Sequence, residues 1–223
     1  VWIDSDMIVA APLHDALAGM IPALSAKGSF VCACPDSAET VGNVLGQWKD
    51  EVAPFAQMFR TLDLPDDTTY FNSAFFLIND TGTLAEMADL ALATPVHRLI
   101  DQNIFNYLAY RNFDPPGRLD SEVWNAHDLL LNRLSVTGTE GKVPFKVMLG
   151  EKQVNIVHAT SAGQRTVKIC TIRMPVGNDM TISSTFRQIL NDSVNQLFLA
   201  LFSHYANRHA EALGALQLIQ PRG

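Results

Sequence analysis

Two carboxylates one residue apart, Asp4-Ser5-Asp6, follow the apolar run Val1-Trp2-Ile3. At a strand end, where the chain bends, both can turn toward one point, and oxygen donors so placed suit a hard cation such as Mg²⁺ or Mn²⁺. The tripeptide is weak evidence by itself, because Asp and Ser are ordinary turn formers. Four other places carry polar side chains in or beside apolar segments or at a helix start. They are Asp36 after Cys34-Pro35, Asn72-Ser73 within the apolar run 70–79, Asp101-Gln102-Asn103 opening a helix, and His158 closing the run Val154-Asn155-Ile156-Val157. Each has an ordinary reading. A lone His on an apolar strand is usually a packed core residue, and a Gln at a helix start usually satisfies free backbone N–H groups.

Together these segments say more. Tyr70-Phe71-Asn72-Ser73 followed by Phe76-Leu77-Ile78-Asn79 resembles the YFN[SA]G…LLIN segment of glycosyltransferase family 8. The strand ending in Asp4-Ser5-Asp6 resembles that family's DxD strand. Residues 101–106, Asp-Gln-Asn-Ile-Phe-Asn, resemble its DQD-hhN helix start, where h is apolar. Trp124-Asn125 resembles its W-N pair, and Ile156-Val157-His158 with Thr160 its I-I-H-F-T strand. Cys34-Pro35-Asp36 is similar to the segment where the family places an Asp near the donor sugar. The matches keep the family's order from residue 2 to about residue 165.

The resemblance implies a retaining, metal-dependent enzyme of the GT-A fold that uses a nucleotide sugar. It implies that Asp4, Asp6 and His158 ligate Mn²⁺ or Mg²⁺, leaving open positions for the donor's phosphate oxygens. It also implies that Asp36, Asn72, Ser73 and Asp101 line the sugar site, and that Gln102 lies beneath the anomeric carbon with Asp101 beside it. An amide is a poor nucleophile compared with the carboxylates of retaining glycosidases. Front-face substitution is therefore expected rather than a covalent intermediate. The implied donor is a nucleoside-diphosphate sugar, with UDP the expected nucleotide, and the implied acceptor a glycan or lipid-linked molecule.

The chain departs from the family pattern in several places. The family usually carries Gly and Lys at the third and sixth positions after the metal His, where this chain has Ser161 and Gln164. Arg165 is the expected replacement for that Lys on the diphosphate. Asn103 stands for the third residue of DQD, and Ala74 for the Gly of YFNSG. The sequence begins at the DxD strand, without the nucleotide-binding segment that precedes it in GT-A enzymes, and a fragment or processed chain is expected. These departures keep open a catalytically silent binding or assembly subunit. A DxD phosphotransferase with Asp4 as nucleophile fits poorly, because Met7-Ile8 replace the Gly-Thr expected after the second Asp.

The elements that must hold these residues read as α/β. Strands are expected at 1–3, 7–9, 29–34 (stopped by Pro35), 70–79 and 154–158. Helices are expected from 38 to about 59, bent or ended at Pro54, from Thr83 to 93 with Thr83 as N-cap and Glu86 as its capping-box partner, and from 101 to 110. The stripe Phe186, Ile189, Leu190, Val194, Leu197, Phe198, Leu201, Phe202 and Tyr205 has helical spacing. The expected architecture is thus a GT-A-like mixed sheet flanked by helices over residues 1–167, in part, with a helical extension over 168–223.

Composition bounds the rest. The 223 residues are 48% hydrophobic and 17% charged, enough apolar matter for a core, and the net charge is −7. With no basic run there is no electrostatic footprint for nucleic acid. Cys32, Cys34 and Cys170 are few and fit a reducing compartment. No stretch approaches the length of a membrane-spanning helix. A soluble, cytoplasmic protein is expected, with membrane contact peripheral at most.

Overall fold

Pro35 interrupts a strand without ending it, and much of the architecture follows from that interruption. The computed structural model describes residues 1–4, 7–26, 28–47, 53–96, 99–137, 146–158, 167–176, 180–189, 196, 199 and 220–221. In chain order the elements are β1 (Trp2–Ile3), β2 (Met7–Val9), α1 (Leu13–Ser25), β3 (Val31–Thr40), α2 (Val41–Gln47), α3 (Ala53–Arg60), β4 (Thr69–Ile78), α4 (Thr81–Ala93), α5 (Ile100–Asn112), β5 (Gly117–Arg118), α6 (Ser121–Trp124), a 3-10 turn (Asp128–Arg133), β6 (Leu134–Thr137), β7 (Lys146–Leu149), β8 (Lys152–Val154), β9 (Ile156–His158), β10 (Val167–Val176), β11 (Met180–Ile189) and β12 (Gln220–Pro221). They divide into two units, Val1–Ser5 with Pro12–Asn125, and Asp6–Ala11 with Ala126–Gly223.

The first unit holds a four-stranded sheet in the order β1-β4-β3-β5. It is mixed: β4 runs antiparallel to β1 and β3, while β5 is parallel to β3. Strand β4, TYFNSAFFLI, is buried over nearly its whole length. A central strand covered on both faces reads as such a continuous apolar run. Expected to stop at Pro35, β3 instead runs on to Thr40. Its register against β4 shifts between Ala33 and Pro35 and again between Pro35 and Thr40. Proline removes one ladder donor, and a bulge is the place where a sheet tolerates that loss.

Helix α5 lies against β4 and is apolar on two sides. Ile104 and Leu108 join Val41, Val44, Phe55 and Phe59 in one cluster, while Phe105 and Ala109 join Val31, Phe76 and Phe113 in another. The rings of Phe76 and Phe105 stack with centroids 4.5 Å apart. Each buried aromatic or aliphatic side chain contributes about 1.5–3 kcal/mol through surface removed from water. Of the region from 38 to 59, residues 38–40 belong to β3, α2 and α3 are helical and 48–52 lie outside the described residues; Pro54 falls in the first turn of α3, where its missing N–H costs nothing.

Helix α4 is capped differently from the expected Thr83–Glu86 box. Asp80 is the N-cap, its carboxylate accepting from Gly82 N at 2.8 Å and from Thr83 Oγ1 at 3.0 Å. Those hydrogen bonds, from Thr83 and then Gly82, hold the Asp80 carboxyl below its ordinary range. The helix begins at Thr81, ahead of the expected start, and an ionised acceptor is favoured at its positive end. Glu86 pairs instead with Arg111, whose guanidinium lies 5.3 Å from the Tyr107 ring centroid.

In the second unit, β2 pairs antiparallel with β9, placing Met7 opposite His158, and β6-β7-β8 form a meander. Ala10, Ala126, Leu131, Leu134, Val147, Leu149, Val154 and Val157 make its core. Residue 167, the expected boundary of the helical extension, opens β10, which pairs with β11 from Val167↔Ile189 to Val176↔Met180. Phe186 and Ile189, expected to start a helix, therefore lie in a strand. Both strands carry β-branched residues along their length, Val167, Ile169, Thr171 and Ile172 in one and Thr181, Ile182, Thr185 and Ile189 in the other. That local preference outweighs a helical spacing that begins only at the end of β11. Gln196 and Leu199, which are not part of the stripe, are helical, and the stripe residues from Leu190 to Tyr205 lie outside the described residues.

Gly117 marks the tightest approach in the first sheet. A Cβ there would sit 2.3 Å from Cys32 Sγ on β3. We expect Gly117→Ala to lower stability by about 1–3 kcal/mol through overpacking. Cys32→Ala in the same chain should recover part of that loss, and a double-mutant cycle in urea measures the coupling.

Candidate functional site

The bulge in β3 leaves β4 short of strand partners near Phe71 and Ser73, and α5 supplies side chains in their place. Opposite Phe71 stands Pro35, which has no N–H to give. The Asn106 carboxamide takes both backbone groups of Phe71. Its Oδ1 accepts from Phe71 N at 2.7 Å and its Nδ2 donates to Phe71 O at 2.8 Å. The same Nδ2 donates to Gln102 O, one helical turn earlier, at 2.8 Å. Asn106 is fully buried, so each of these bonds would be expensive to leave unmade.

One turn nearer the helix start, three of the expected site residues meet a fourth. Gln102 Nε2 donates to Asp36 Oδ2 at 2.6 Å, and Gln102 Oε1 accepts from Ser73 N at 3.4 Å. Ser73 Oγ donates to Asp101 Oδ2 at 2.7 Å. Asp101 itself is exposed in the first turn of α5, where the helix dipole favours a carboxylate. Asn72 is buried, with its Oδ1 accepting from Ala74 N at 3.0 Å, and Ala74 O accepts from Asp4 N at 2.8 Å. Residues from β3, β4 and α5 thus form one hydrogen-bonded group. Leu99, just before α5, sits in the left-handed region at φ 57°, a conformation that side chains rarely adopt.

Tyr70 completes the group from within the core. Its hydroxyl donates to Asn103 Oδ1 at 2.8 Å. Burial first, then the negative charge of Asp36, push its phenol well above the ordinary value, while a hydrogen bond from Gln102 and the charge of Asp101 act in opposite senses. Tyr70 stays protonated and serves as a donor. This also accounts for Asn103, where the resembling family carries Asp. The residue is fully buried, its task is to accept from Tyr70, and a carboxylate there would bury a charge where an amide buries none.

The remaining expected residues are placed as follows. Asp4 is exposed in the first unit, and His158 is buried in the second. Asp6 and Arg165 lie outside the described residues. Among the described residues no three of His, Cys, Asp and Glu come together as a metal-ligand set. His127 is buried with its ring centroid 6.0 Å from that of His158. Cys32 and Cys34 are buried thiols. Burial pushes the Cys34 thiol up to about 12, with a hydrogen bond to Ser121 opposing and the charge of Asp120 adding, so it is no nucleophile at neutral pH.

Sequence reasoning assigned no role to Asn106 or Tyr70. For Asn106 the signal was present: it follows Gln102 by four residues, which puts both on one face of α5. For Tyr70 and His127 the signal is tertiary, since their partners come from elsewhere in the chain. No known protein family, curated protein or solved structure matches this chain.

Two outcomes test the geometry. Asn106→Ala should cost about 2–5 kcal/mol in denaturant unfolding, because it strands the Phe71 N–H and C=O in the core. Gln102→Glu would set a second carboxylate against Asp36, so that the pair holds a proton to higher pH than either group does in the unfolded chain. The folded variant then binds more protons than the unfolded one. Its stability relative to the parent should fall as pH rises from about 4 toward neutrality, as melting temperatures across that range would read.

Proposed function

We propose that this chain is a retaining glycosyltransferase that moves a hexose from a nucleoside-diphosphate sugar, with UDP as the nucleotide, to a glycan or lipid-linked acceptor. The observation that carries this reading is the hydrogen-bonded group of Asp36, Ser73, Asp101 and Gln102, drawn from three separate segments. Such a group suits a polyhydroxyl ligand. Carboxylates accept from sugar hydroxyls, and an analogue lacking one leaves them unpaired, which gives strong discrimination. With its carbonyl engaged by Ala74, Asn72 would offer a ligand its amide N–H groups. Gln102 would lie under the anomeric carbon, with its carbonyl dipole toward the positive charge that grows as the leaving group departs.

Asp4, Asp6 and His158 would hold a divalent cation, Mn²⁺ or Mg²⁺, whose charge offsets that of the departing diphosphate. Arg165 would bind that diphosphate in place of the family's Lys. Cys34 and Tyr70 are excluded as bases or nucleophiles, since both are kept protonated. A second reading, a silent binding subunit, is favoured by Gln164 at the position where the resembling family carries its Lys.

Thermal shifts with Mn²⁺ and a panel of nucleoside diphosphates, alone and combined, separate the two. A ligand at one hundred times its dissociation constant stabilises the native state by about 2.7 kcal/mol, and the proposal expects a shift that needs both metal and UDP. Asp6→Ala should abolish transfer and leave the ligand-free melting temperature unchanged. Transfer that survives Asp6→Ala would refute the metal-dependent mechanism, and binding without turnover or donor hydrolysis would favour the silent subunit.

A further inference from the structure

We infer that Asp36 is a positioning residue for Gln102: its carboxylate decides which end of the Gln102 carboxamide faces the Ser73 backbone. The two ends of a carboxamide have nearly the same shape and differ in chemistry, one only accepting and the other only donating. A carboxylate can only accept, so the 2.6 Å contact from Asp36 Oδ2 requires the Nε2 end of Gln102. The backbone N–H of Ser73 can only donate, and it faces Oε1 at 3.4 Å. The first bond is short and charge-assisted, while the second lies beyond the usual range of an N–H···O bond. Asp36 therefore dominates the choice.

The main chain of Gln102 is already held, because Asn106 Nδ2 donates to its carbonyl. The remaining freedom is a half-turn of the terminal carboxamide. Without the Asp36 carboxylate, only the long contact to Ser73 and the contact with the Tyr70 hydroxyl hold the carboxamide, and both orientations become populated. With it, the carbonyl end stays on the β4 side, bound to Ser73, and the donor end stays on the β3 side, bound to Asp36. The orientation is set by the fold. Its consequence for turnover rests on the glycosyltransferase reading above: an oxygen lone pair stabilises a developing positive charge, and an amide NH₂ in the same place opposes it.

Side-chain amide resonances in ¹H–¹⁵N spectra of the full chain test the orientation without any substrate, the Gln102 Nε2 pair being assigned by its loss in Gln102→Ala. In Asp36→Ala the pair should move to the position of a solvent-exposed Gln. In Asp36→Asn, whose side-chain carbonyl can still accept, it should stay near its original place. A Gln102 resonance that Asp36→Ala leaves unmoved, in a spectrum otherwise well dispersed, overturns the inference. Kinetics test the consequence. Asp36→Ala should lower kcat by about tenfold or more, Asp36→Asn should recover most of that loss, and in a Gln102→Ala background Asp36→Ala should cost kcat far less, its own contact with a sugar hydroxyl showing in KM. An equal kcat loss in that background would mean that Asp36 acts on the substrate independently of Gln102, and would overturn the role in turnover. If the parent chain turns over no nucleotide sugar, the glycosyltransferase reading fails, while the spectra still decide the orientation.

Discussion

The first unit depends on a side-chain amide that does the work of a missing strand. Pro35 breaks the pairing of β3 with β4, and the Asn106 carboxamide takes up the N–H and C=O of Phe71 at 2.7 and 2.8 Å. A buried backbone pair left open would cost more than most single contacts contribute. The same amide ties down the Gln102 carbonyl, so one side chain joins the strand to the helix and sets the height of the helix start above it. Asp36 can approach Gln102 because β3 bulges just before it.

Around that seam the polar chemistry is arranged to bury little charge. Asn72, Gln102, Asn103 and Asn106 are neutral amides in the interior, while Asp101 stays exposed at the helix dipole and Asp36 is half-buried with Gln102 donating to it. Amides suit this place because each presents both a donor and an acceptor, so backbone and side-chain partners of either kind can be satisfied without desolvating an ion. Tyr70, kept protonated by burial and by the carboxylate of Asp36, extends the network one residue deeper. The rigidity that follows is what a site needs if its side chains are to wait in a productive geometry.

Local chemistry made many elements legible. The apolar run 70–79 is a strand because a fully covered strand has no reason to alternate, and 101–110 is a helix whose ends the structure moves by no more than two residues. Where the reading failed, a rule of local propensity met a tertiary competitor. Proline was expected to end β3, but the sheet absorbed it as a bulge. Thr83 was expected to cap α4, but the helix begins at Thr81 and Asp80 caps it, with the Thr83 hydroxyl donating to its carboxylate. The first two residues of a helical spacing, Phe186 and Ile189, fell instead in a β-hairpin that pairs residues up to 22 apart. The mixed α/β character was readable, since strands and helices alternate along the chain. The strand order was not, because nothing local states that β4 lies between β1 and β3.

The site divides along the same line. Asp36, Asn72, Ser73, Asp101 and Gln102 were singled out in the sequence by the segments that resemble a known family, each of them a polar residue set in or beside an apolar run. Which of them bond one another was decided by tertiary structure alone: Asp36 and Gln102 are 66 residues apart, and Asn106 and Phe71 are 35 apart. The physical reason is the range of the forces involved. Hydrophobic periodicity, capping and turn chemistry act over a few residues and are written in the order of the chain. A hydrogen bond between distant segments exists only after burial has brought them together, and the direction in which an amide then points is chosen by neighbours that the sequence does not place beside it.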